Sequence, residues 1–210
     1  MRHDDPLAVA VVTAIQTGDV PALARLLADH PGLATARIVD EHGHARSLLH
    51  VLTDWPARRP NSARTVAALV EAGADVNARF EGPHRETPLH WAASADDVEV
   101  LDALLDHGAD IDADGAVIAG GTPLTDARAF AQWAAAHRLV ERGAAVTLAD
   151  AATLGLRDRL EALLAGASQD ELNVAYWGAG QGGQPECAAL VAAAGADVDW
   201  VPPWESRDTP

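Results

Sequence analysis

Apolar residues return at helical spacing in short blocks, separated by polar connectors that glycine punctuates. Val98, Leu101, Leu104 and Leu105 fall on one face of a helix. Asp96 and Asp97 precede them, where negative charge suits the positive end of the helix dipole. Gly108 can take the left-handed conformation that ends such a helix. Upstream, Thr87 reads as an N-cap and Pro88 as a first helical residue, where the missing N–H costs nothing. This predicts a short helix over 89–95 with Ala92 and Ala93 on its tight inner side. Two helices this short cannot bury an apolar face alone, so the unit needs neighbours of its own kind.

The neighbours are present. Gly73-Ala-Asp-Val-Asn-Ala, Gly108-Ala-Asp-Ile-Asp-Ala and Gly143-Ala-Ala-Val recur at a step of 35 residues, and Gly195-Ala-Asp-Val-Asp repeats the phrase. Thr87-Pro-Leu and Thr122-Pro-Leu are also 35 apart. A step near this length with the phrase Thr87-Pro-Leu-His-Trp-Ala92 resembles the ankyrin-repeat family. The resemblance is closest over 87–113, and weaker copies cover nearly all the chain. It implies an all-α solenoid of stacked helix–turn–helix units with finger-like connectors. It also implies a scaffold that binds partners. Approximate repeats are 5–36, 37–78, 79–113, 114–147, 148–167 and 168–200, with a stub at 201–210, in one domain spanning 1–210.

Chain order fills in the frame. Asp5-Pro6 starts a helix over 7–17, and 20–28 follows after Gly18, with Leu23, Leu26 and Leu27 inward. Ser47-Leu-Leu-His50 stands where Thr87-Pro-Leu-His90 stands in the next unit. Between Ser47 and Gly73 lie five residues more than between the matching positions downstream, and the excess falls around 54–60. Two prolines there forbid a regular helix. Trp55 in that loop is either an anchor folded back onto the stack or a contact for a ligand. Helices follow at 63–72, 148–154, 157–164, 170–179 and 185–194, with Ser168 to Glu171 as a capping box and 180–183 as a glycine-rich turn.

Charge narrows the partners. The chain carries 31 acidic residues against 15 basic, a net charge of −16, and contains no lysine. That argues against nucleic acid and against anionic membranes, since both need a positive surface. It permits a basic partner, although a solvated acidic face needs none. The absence of lysine excludes Schiff-base chemistry. It also hints at a bacterial gene of high GC content. One cysteine, Cys187, excludes an internal disulfide and any multi-cysteine zinc site. The apolar run 7–15 is too short to span a bilayer, and acidic residues precede it where a signal peptide would be basic. A cytoplasmic monomer is the expectation.

Three constellations can carry chemistry. The long connectors 75–86 and 110–121 put apolar residues near their tips, where wet exposure is costly, so contact with a partner or a neighbouring finger is expected. Trp55, Phe80, His84, Arg85, Trp91, Val117 and Ile118 are the candidate partner contacts, aromatics and arginine being common interface anchors. The alternative is a small-molecule site near loop 53–61 from His50, Asp54, Trp55, Trp91 and Asp126, where aromatic walls and carboxylates could hold a cation or support Asp–His acid–base catalysis. His42, His44 and His84 are a third, weaker group that could ligate a metal. The resemblance assigns His50 and His90 a structural role, bonding backbone in the neighbouring connector. No Ser-His-Asp, Cys-His or paired-carboxylate motif stands at a recognisable spacing. The chain therefore reads as a non-catalytic scaffold for a protein partner, with no cofactor implied.

Overall fold

A computed structural model describes residues 1–203. The stub prediction falls partly on 204–210, including Trp204, and those positions lie outside the described residues. The chain forms two compact units, Met1–Ala144 and Ala145–Pro210.

The first unit contains α1 (Pro6–Thr17), α2 (Val20–Asp29), α3 (Leu48–Thr53), α4 (Ser62–Glu71), α5 (Pro88–Ser94), α6 (Val98–Asp106), α7 (Pro123–Ala129) and α8 (Trp133–Glu141). The first helices of successive pairs pack in a row, α1 on α3, α3 on α5 and α5 on α7. The second helices form another row, α2 on α4, α4 on α6 and α6 on α8. At six and seven residues, α3 and α5 are too short to persist alone, so burial holds them. Leu49, Leu52, Leu89, Leu101, Leu104 and Leu139 are fully buried. Each contributes roughly 2 kcal/mol of transfer free energy.

Fingers join the pairs, and they are stitched together. The first is a hairpin of β1 (Arg37–Val39) and β2 (Ala45–Ser47), antiparallel with Arg37 opposite Ser47. These strands were not foreseen, because three residues each are too few to show an alternation. Asp40 turns the hairpin by accepting from the His42 and His44 amides at 2.8 and 2.9 Å. Ala45 and Glu81 exchange backbone hydrogen bonds at 2.8 and 2.9 Å, tying the first finger to the second. The Arg85 amide donates to the Gly115 carbonyl, tying the second to the third. Gly115 has φ +107°, and a Cβ there would strike that Arg85 carbonyl, so this crossing requires glycine. Arg37 and Arg79 add side-chain bonds across the same seams, Arg37 to the Arg79 carbonyl at 2.6 Å and Arg79 to Asp114 at 2.8 Å.

The second unit pairs α9 (Leu148–Thr153) with α10 (Arg157–Leu164) and α11 (Gln169–Gln181) with α12 (Pro185–Ala193). Its core gathers Ala151, Ala152, Leu160, Ala175, Ala179 and Val191. Ser168 and Glu171 form the expected capping box, with the Ser168 amide bonded to Glu171 at 2.8 Å. The glycine-rich turn expected at 180–183 is present but starts later: α11 continues through Gly180 to Gln181, and Gly182 and Gly183 make the turn into α12. Gly178 and Gly182 also permit close approach of α9, because a Cβ on either would collide with Thr153.

Candidate functional site

The repeated geometry of two helix starts is set by two histidines. His50 Nε2 lies 3.1 Å from the Glu86 carbonyl, and its Nδ1 lies 2.8 Å from Ser47 Oγ. His90 repeats this: Nε2 lies 3.3 Å from the Gly121 carbonyl, and Nδ1 accepts the Thr87 amide at 3.1 Å. Each ring donates from Nε2 to the next finger and accepts at Nδ1, which requires the neutral form. Burial agrees, holding the His50 pKa down to about 3 and lowering that of His90. The structural role implied for these two residues is the one they play.

Beside His50 the fingers enclose an aromatic cluster. Phe80 lies 4.6 Å from His84, 5.4 Å from Trp91 and 6.3 Å from His50 between ring centres. Trp91 meets His50 edge-on at 4.8 Å. Such pairs add to the burial of their apolar faces. Phe80 is buried, so of the two expectations for it, contact with neighbouring fingers is realised.

A cleft of about 240 Å³ opens over this cluster, lined by Asp54, Trp55, His84, Glu86, Trp91, Val117 and Phe130 among others. It lies wholly within the first unit. Trp55 is 81% exposed, so it is not an anchor folded back onto the stack. The loop carrying it is held elsewhere: the Arg58 amide donates to Asp97 at 2.8 Å, and Asn61 bonds the Gly18 carbonyl at 3.0 Å. Asp54 is paired with Arg46 at the rim.

Glu86 forms the floor. It is 6% exposed, accepts the Trp91 indole N–H at 2.7 Å and accepts the Val117 amide at 2.9 Å. His84 Nδ1 is 2.9 Å from the same carboxylate but is not aligned for a hydrogen bond. Behind Glu86 sits Asp126 on α7, with no exposure and no well-formed hydrogen bond to either carboxylate oxygen. Burial first, and then the adjacent Glu86 carboxyl, push its pKa up to about 8, while the Ile118 amide pulls the other way. One proton shared between the two acids resolves the orphaned oxygens. Burial beside a second carboxyl favours the protonated form of Asp126, while Glu86 accepts its two N–H donors.

The sequence-derived groups are thus distributed unevenly. Asp54, Trp55 and Trp91 meet at the cleft, with His50 behind Trp91 and Asp126 behind Glu86. Val117 lines the cleft, while Ile118 and Arg85 are exposed on the fingers. His42 and His44 are 5.9 Å apart between ring centres, and His44 leans on Asp40. Among the described residues, no group of three or more His, Cys, Asp or Glu side chains is placed to hold a metal ion. Glu86 and Phe130 were missed. An acid one residue before a helix-start phrase carries no sequence signal of burial.

Helix pairs that take their core from adjacent pairs and project stitched fingers define a helical repeat array. A family model described as ankyrin repeats (three copies) matches residues 55–150, which includes most of the cleft. Residues 55–150 thus carry ankyrin repeats. Such repeats generally mediate protein–protein interaction. Among the described residues, no helix is long and apolar enough to cross a membrane.

Proposed function

We propose that the protein is a non-catalytic scaffold and that the cleft edge of its first unit receives a protein partner. One observation supports this most. Trp55, Val117 and Phe130 are 81%, 51% and 45% exposed, and all three line the same cleft, with exposed Ile118 adjoining. Large apolar groups gathered at one wet site mark an interaction surface. The stitched fingers hold that surface rigid, which lowers the ordering cost of binding. Trp55, His84, Arg85, Trp91, Val117 and Ile118 make the contacts, and Phe80 supports them from beneath.

The carboxyl pair favours a second reading, a small-molecule site using His50, Asp54, Trp55, Trp91 and Asp126. A proton held near neutrality suits acid–base chemistry. Asp126 does not line the cleft, however, and His50 spends both ring nitrogens on protein contacts. The scaffold reading is therefore the better supported.

Photo-crosslinking tests it. A photoreactive residue replaces Trp55 or Val117 in one set of cells and the exposed Arg64 of α4 in another. A discrete protein adduct from the first two positions and none from Arg64 is expected. Adducts from Arg64 alone, or from no position, refute the surface.

A further inference from the structure

We propose that the cleft takes an arginine side chain of the partner, its guanidinium seated against Trp91 and Trp55 over the Glu86 carboxylate. This rests on the partner-binding reading above and adds the chemistry of the group recognised.

Four observations carry it. The cleft is walled by Trp55, Trp91, His84 and Phe130, and aromatic faces attract cations, arginine most often. Trp91 is fixed in advance by its 2.7 Å bond to Glu86 and by His50. The formal charges lining the cleft come from Asp54 and Glu86, and no arginine lines it. Asp54 already takes the Arg46 guanidinium, which leaves Glu86 as the acid facing inward. A carboxylate offers about four acceptor positions. Trp91 and Val117 occupy two, and His84 leans on the same carboxylate without bonding, so acceptor capacity remains.

Size and charge select the occupant. At about 240 Å³ the cleft is smaller than the roughly 300–1,000 Å³ usual for small-molecule sites, and suits a single side chain. A net charge of −16 steers a basic partner towards the protein. Guanidinium is favoured over ammonium because it is planar, stacks on rings and is weakly hydrated. Burying a lysine ammonium against these walls would forfeit more water.

The test uses the full chain and the Trp91 indole N–H signal in NMR, assigned with Trp91→Phe. The probe is N-acetylarginine amide, compared with its neutral isostere N-acetylcitrulline amide and with N-acetyllysine amide. Saturable shifts from the arginine probe are expected, with the citrulline probe at least about tenfold weaker through loss of the cation–π and charge contacts. Glu86→Gln should abolish the response. If that variant does not fold, Trp55→Ala decides, because Trp55 is exposed and its loss leaves the core intact; about a fivefold weakening is expected. No saturable shift from arginine, or equal shifts from citrulline, overturns the proposal. Equal binding of the lysine probe overturns the choice of guanidinium. Crosslinks at Trp55 or Val117 with no arginine binding would sink the cation and leave the docking surface standing. Arginine binding without crosslinks would do the reverse.

Discussion

Replacing Asp126 with asparagine should stabilise the first unit, and the gain should depend on pH. The carboxyl has an ordinary pKa of 3.8 and is pushed up to about 8 in the fold, first by burial and then by Glu86. A raised acid pKa means the folded state binds more protons than the unfolded chain between these values. Stability is therefore full below about pH 4 and falls as pH rises, by about 1.4 kcal/mol per unit, until the folded group ionises near pH 8. Over the whole window the ceiling is about 6 kcal/mol, comparable with the entire stability of a small domain. Asparagine has no proton to lose, and its amide can still donate to Glu86.

Other groups titrate in the same range, so the difference between the two proteins is the quantity to follow. His50, held down to about 3 by burial, has the opposite sense: its contribution is present above about pH 6.5 and is lost as pH falls. His90 acts in the same direction as His50. Both cancel when variant and wild type are compared at each pH. Urea denaturation from about pH 5 to about pH 9, followed at the Trp91 indole, should give a stability difference that widens with pH and levels off above about pH 8. A difference constant across that range, or a variant less stable than wild type at the alkaline end, refutes the shared proton.

Further outcomes follow from packing and surface charge. Gly182→Ala should cost the second unit about 1–3 kcal/mol or more, since its φ of −79° is ordinary and the clash is with Thr153; Gly183→Ala, at φ +66° in open space, should cost only about 1 kcal/mol, and urea midpoints compare them. Leu101→Ala should cost about 2–5 kcal/mol because Leu101 has no exposure, whereas Val117→Ser should leave the melting temperature nearly unchanged. Asp102 joins α6 to α8 through Arg138 at 2.8 Å and through Arg142, and these guanidinium partners hold its carboxyl below the usual range against the cost of burial. Asp102→Asn should cost about 1 kcal/mol at low salt and measurably less at high salt, read from denaturation at two ionic strengths.

The helices were legible because each is decided within its own repeat. Leu101 and Leu104 of the expected stripe are buried, joined by Val100 and Ala103, while Val98 and Leu105 are half-buried, and Asp97 and Gly108 bound the helix. The same local rules place α10 over its predicted residues and α4, α9 and α12 within one residue at each end. Glycines 180–183 misled in part: the turn is confined to Gly182 and Gly183, and Gly182 has a second reason in another helix, since Thr153 of α9 leaves no room for a Cβ. The cleft was legible only in part for the same cause. Asp54, Trp55, Trp91 and Asp126 stand out as polar or aromatic departures from a repeat. Glu86 does not, and its role depends on an amide supplied by Val117 and a carboxyl supplied by Asp126. A stacked array makes its core from near-identical neighbours but makes a site where adjacent repeats differ. The same stacking that makes the fold repeat in sequence therefore hides the site, whose parts must come from two or three repeats at once.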